Sequence, residues 1–194
     1  LEGFPVRRFS PATELFRIVR RGKGPWWFGS SMQGRFDLAE PEGTCYLATD
    51  EISALLEVVG PDLERGSISS DLLKARSLRK LRLPGELDLA DLTSREAVRF
   101  GITAEIGTIV PYGCPQAWAA GLRAAGSPGV ACWPRHDPAR KIAVALFGPH
   151  GERTRWRKGR DTAISREMIE RLHEECGIEV IDVPRSDELI FLGD

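Results

Sequence analysis

A chain of 194 residues with 27 Lys and Arg against 28 Asp and Glu has a formal net charge of −1, so no global field directs it to nucleic acid or to an anionic membrane. Its length is enough to bury a core and predicts one domain over residues 1–194. The longest apolar runs, such as 142–147, are strand length and too short to span a bilayer, and the N-terminal LEGFPVRRFS, which starts without Met, lacks the apolar core of a signal peptide.

Residues 14–20 (ELFRIVR) alternate as a strand, with Leu15 and Ile18 among the apolar positions and Arg17 between them. Residues 23–31 form a loop in which Trp26 and Trp27 either cover a core edge or lid a pocket. The stretch 34–60 then organises the chain: Arg35, Tyr46 and Glu57 stand at two equal intervals of eleven residues. Turn-rich residues 37–44 lead into a short strand at 45–48. Thr49 or Asp50 caps a helix with Ile52, Leu55, Leu56 and Val59 on one arc. Glu57 falls on the other side with Asp50 and Ser53; read from the residues alone, it is a solvated helix-face carboxylate. Gly60-Pro61 stops the helix.

Beyond it, 62–75 reads as irregular or briefly helical, 77–83 as a half-exposed strand, and 86–89 as another strand. Thr93 or Ser94 caps a helix through Phe100, and 115–125 is a helix with proline at its first position and Gly126 past its end. Strands at 129–133 and 141–147 flank the loop PRHDPAR, and 153–157 alternates as a more exposed strand. Ser165 caps a helix through Cys176 ended by Gly177, and 178–183 is a final strand. Strands with a few inserted helices predict an α+β fold.

Several chemistries are absent at this level. Cys45, Cys114, Cys132 and Cys176 form no CxxC pair and stand at no ligand spacing from His136, His150 or His173, so they read as buried reduced thiols, a cytoplasmic setting is expected and no metal is expected. There is no Walker loop, no GxGxxG and no GxSxG elbow.

The order Phe16-Arg17, Gly34-Arg35-Phe36, Tyr46-Leu47-Ala48 and Ala54-Leu55-Leu56-Glu57-Val58 resembles the RES-domain family, bacterial toxins named for their Arg, Glu and Ser residues. Gln116 with its alanine-rich helix, Gly129-Val130, Arg135-His136-Asp137 and Ala145-Leu146-Phe147 fall where the family has similar segments, so the resemblance covers about residues 14–150. It implies an ADP-ribosyltransferase-like split β-sheet core with surrounding helices and a cleft for NAD, which is substrate and not resident cofactor.

The resemblance further implies attack on the nicotinamide–ribose bond, by hydrolysis or phosphorolysis, or by ADP-ribosyl transfer to a protein. Arg17 and Arg35 would then grip the diphosphate. Tyr46 would stack near nicotinamide or its ribose, and Glu57 would hold the ribose hydroxyl and stabilise the oxocarbenium-like charge. A helix-turn-helix antitoxin is the implied partner, with no direct nucleic-acid contact. Arg35 as a core salt bridge, Arg17 as a strand-surface residue and Tyr46 as an ordinary buried tyrosine are the competing assignments. One departure stands out: the family's serine precedes the Arg-His-Asp segment, and Pro134 stands there. That leaves room for an altered acceptor, or for a module that binds without turnover.

Overall fold

The central strands are buried at nearly every position, and because successive side chains point to opposite faces, one large sheet carries a core on each side. The structure, a computed structural model, describes residues 1–182, apart from the side chains at 61, 62 and 64. In chain order the elements are β1 (Val6–Phe9), β2 (Leu15–Arg20), β3 (Trp27–Phe28), β4 (Glu42–Ala48), α1 (Glu51–Val59), β5 (Ser67–Ser69), α2 (Ser70–Lys74), β6 (Arg76–Leu81) and β7 (Leu87–Asp91). There follow α3 (Gly113–Ala124), β8 (Gly129–Cys132), β9 (Ala143–Pro149), β10 (Gly151–Glu152), β11 (Asp161–Ala163), α4 (Arg166–Cys176) and β12 (Glu179–Ile181). Short 3-10 turns occupy Gly60–Arg65, Arg95–Phe100 and Ala104–Gly107.

Eight strands form the main sheet in the order β1-β7-β8-β9-β4-β2-β6-β11. Its β7–β8 pair is parallel and the rest antiparallel. The joint between β4 and β2 differs from its neighbours. β4 pairs with β9 from Glu42↔Pro149 to Ala48↔Ala143, and β2 with β6 from Leu15↔Leu81 to Arg20↔Arg76, but β2 meets β4 only at Phe16↔Ala48. The sheet is therefore split at its middle, as expected for this core.

On one face, β8, β9 and β4 point Val130, Cys132, Ala145, Phe147 and Tyr46 at α3, whose Ala119 and Leu122 cover them. On the same face beyond the split, Phe16 and Ile18 of β2 pack against Ile52, Leu55, Leu56 and Val59 of α1, and Leu172 of α4 closes that cluster. The opposite face carries Cys45, Leu47, Val144 and Leu146 beneath Trp26 and Phe28. Two separate helix-covered cores on one face leave a gap between them, directly above the split.

Asp50 is the residue that caps α1, its Oδ1 accepting from Ser53 N at 3.0 Å. The helix arc predicted to be apolar is buried, but Ser53, expected on the solvated side, is fully buried as well. Residues 153–157 are not a strand. Trp156 N donates back to Arg153 O at 3.2 Å, and the Trp156 ring turns in to meet Trp26 edge-on at 4.9 Å, so a turn that buries an indole replaces the alternating exposed pattern. Ser94 caps a 3-10 turn and not an α-helix. Pro115 is the third residue of α3, not the first. Cys45 and Cys132 are buried, whereas Cys114 and Cys176 are exposed, and all four are free thiols. The last predicted strand is seen at Glu179–Ile181; position 183 lies outside the described residues.

Candidate functional site

The gap above the split is a cavity of about 700 Å³, within the range of small-molecule sites. Arg17, Arg35, Tyr46 and Glu57 all line it. Residues far apart in the chain converge there because β2, the segment before β4, β4 itself and α1 all border the split.

Tyr46 projects from β4 on the cavity face. Its hydroxyl accepts from Phe36 N at 2.8 Å and donates to Asp37 Oδ1 at 2.9 Å. Burial first, and then the Asp37 carboxylate, push the phenol well above its ordinary value. The hydroxyl is thus a fixed, protonated strut, and the ring is the part of Tyr46 offered to a ligand. The strut leaves no space at Gly34, where a methyl group would overlap both the Asp37 carboxylate and the Tyr46 hydroxyl. Gly34 N also donates to Asp37 Oδ2 at 3.0 Å, and Gln116 Nε2 from α3 donates to Gly34 O at 3.0 Å. The backbone carrying Arg35 is held from both sides.

Arg35 is 8% exposed. Its Nη1 donates to Trp133 O at 3.2 Å, while its buried Nε finds no partner. Among the described residues it forms no ion pair with a carboxylate. A core salt bridge is therefore not its role here. A nearly buried guanidinium without a counter-ion is costly unless an anion is supplied to it.

Arg17 borders the cavity at the split, but its Nη1 is engaged elsewhere. It donates to Pro25 O, to Trp27 O at 3.2 Å and to Cys45 Sγ at 2.9 Å. Its guanidinium thus ties the 25–27 segment to the sheet. Trp26 is wholly buried in the opposite core, and neither Trp26 nor Trp27 lines the cavity.

Glu57 is exposed on α1 and faces the cavity, with Oε1 accepting from His136 N at 2.8 Å. The loop that provides this donor is fastened to the same helix. Asp137, 7% exposed, accepts from Ser53 Oγ and from Ala139 N at 2.8 Å. His136 packs its ring against Gly60, where any side chain would overlap the imidazole. Burial lowers the His136 pKa, with Glu57 opposing, so a neutral ring is favoured. Cys132 also lines the cavity, but burial pushes its thiol up to about 12, which keeps it from acting as a nucleophile near neutral pH.

Pro134, expected at the position of the family's serine, is buried, lines the cavity and brings no hydroxyl to it. Tyr112, Trp133, Arg135 and His136 complete the wall. Sequence reasoning did not place these in the site. The Arg135-His136-Asp137 run was the available signal, and nothing in the local pattern around Tyr112 marked it. No group of three or more His, Cys, Asp or Glu able to hold a metal occurs among the described residues.

The model of the RES domain matches residues 14–167. The chain belongs to the RES-domain family. Among solved structures, the RES domain here is similar in fold to a chain of the M.tuberculosis MbcT-MbcA toxin-antitoxin complex. The identity is 15%, the match covers 88% of this chain and 91% of that one, and the TM-score is 0.63. No curated protein matches in sequence. No helix among the described residues of this RES domain is long and apolar enough to cross a membrane.

Proposed function

We propose that this RES-domain protein binds NAD in the cleft and breaks the bond between nicotinamide and ribose, with water or phosphate as acceptor. The observation that carries the reading is Arg35. A guanidinium held almost out of water, with no carboxylate partner among the described residues, beside a cavity of about 700 Å³, suits a dinucleotide's diphosphate. Nicotinamide leaves as a neutral base with the electron pair of the broken bond, and positive charge grows on the ribose. Glu57 stabilises that charge: its Oε1 is oriented by the His136 amide, and its Oε2, with no hydrogen bond among the described residues, takes a ribose hydroxyl. The Tyr46 ring supplies an apolar face, and its hydroxyl, held protonated, takes no part as a base. Family membership and the toxin-antitoxin neighbour support a toxin role with an antitoxin as partner.

The test is NAD consumption by the purified protein, with products resolved by mass in the presence and absence of phosphate. ADP-ribose identifies hydrolysis, its 1-phosphate identifies phosphorolysis, and a modified protein identifies transfer. Glu57→Gln is the informative variant, because the amide oxygen still accepts from His136 N while the charge is gone. It should lower nicotinamide release by roughly a hundredfold or more without changing the fold. Release at the parent rate would remove Glu57 from the chemistry.

A further inference from the structure

The cleft has a second feature that bond cleavage does not use. Tyr112 stands immediately before α3, and Arg135 Nη1 donates to its hydroxyl. The guanidinium carbon is 5.7 Å from the ring centroid. Bonded to the hydroxyl at that separation, it sits off the phenol edge, and both side chains line the cavity. Arg135 is exposed and, among the described residues, forms no ion pair with a carboxylate.

The segment 133–136 gives the cleft a direction. His136 N is bound to Glu57 on α1, which covers β2 on one side of the split. Trp133 O receives Arg35. The Arg135 side chain reaches instead to Tyr112, at the start of the helix that covers β8 and β9 on the other side. A carboxylate thus stands on the α1 side of the cleft and an exposed aromatic–guanidinium pair on the α3 side, with a buried guanidinium also lining it.

This charge order sorts an asymmetric dinucleotide. The nicotinamide ring of NAD is cationic, so Arg135 repels it and Glu57 attracts it. Adenine is neutral and flat and is joined through its ribose to a phosphate, which matches a tyrosine ring with a guanidinium at its edge.

Resting on the reading of the cleft as an NAD site, we propose that Tyr112 and Arg135 form its adenylate subsite. The Tyr112 ring stacks on the adenine, and Arg135 pairs with the adenosine-side phosphate. These two residues then set the preference for a dinucleotide over nicotinamide mononucleotide.

The experiment is calorimetric titration of AMP and, separately, nicotinamide mononucleotide into the intact protein and its Tyr112→Ala and Tyr112→Phe variants. Tyr112→Ala should weaken AMP roughly tenfold or more, the worth of one stacked base, and leave nicotinamide mononucleotide unchanged. Tyr112→Phe keeps the ring and should keep the AMP affinity, which separates stacking from support of the Arg135 loop. Added NAD should displace the AMP. Equal loss of both mononucleotides in Tyr112→Ala, AMP binding that Tyr112→Ala does not alter, AMP that NAD fails to displace, or no AMP binding by the parent protein would each overturn the subsite. Absence of NAD turnover by a parent protein that binds AMP as described overturns cleavage and leaves the subsite standing.

Discussion

Replacing Tyr46 with Phe removes one oxygen and two hydrogen bonds from the strut behind Arg35. Phe36 N loses its acceptor at 2.8 Å, and Asp37 Oδ1 loses its donor at 2.9 Å. An orphaned buried N–H costs about 1–3 kcal/mol. Asp37 is less exposed to loss, because Oδ2 keeps Gly34 N at 3.0 Å and Ser31 Oγ at 3.1 Å. Its share is therefore about 1 kcal/mol, and the two together come to about 3 kcal/mol. In a urea titration followed by far-UV circular dichroism, with a slope of roughly 2–3 kcal/mol per molar, that lowers the midpoint by about 1 M. The ring remains, so stacking on it survives, while Arg35 loses the anchoring of its own backbone and affinity for NAD should fall with stability. A midpoint that stays in place would refute the argument that this hydroxyl holds the 34–37 turn.

Arg35→Met should separate stability from binding. Removing a nearly buried guanidinium that has no counter-ion leaves the unfolding free energy unchanged or raises it, while NAD binding weakens roughly tenfold or more from the lost charge-assisted contact; a large loss of stability would show that the bond to Trp133 O dominates. His136 gives a pH signature. Its folded-state pKa lies below the ordinary 6.5, so the unfolded chain takes up the proton first; its contribution is complete above about 6.5 and is lost as the pH falls from there towards the folded value. His136→Gln should flatten the fall in stability on acidification relative to the parent, and identical pH profiles would remove the imidazole from the account.

The parts of the fold legible in the sequence were those with a local periodic cause. The arc Ile52, Leu55, Leu56, Val59 and the stop after it specify α1, alternation specifies β2, and a nearly continuous apolar run specifies β9. The split was available only through resemblance, since a single-pair joint between β2 and β4 leaves no mark on either strand's pattern. Long-range satisfaction was illegible for the same reason. Ser53 reads as solvent-facing from the helical wheel, yet it is buried because Asp137, remote in sequence, comes to meet it. Residues 153–157 alternate like a strand, but burying Trp156 against Trp26 required a turn. Of the site, Arg35, Tyr46 and Glu57 were found through their family order. Tyr112 was missed because an aromatic before a helix ordinarily signals packing, and its pairing with Arg135 exists only in three dimensions.

The donor that orients Glu57 belongs to the main chain of residue 136 and not to a side chain. Any amino acid except proline offers the same N–H at that place. Side chains along this loop can therefore be changed at the border of the cleft without disconnecting the carboxylate from its support. The orientation of the Glu57 carboxylate is carried by backbone shape, which a chain can keep while most of its side chains change.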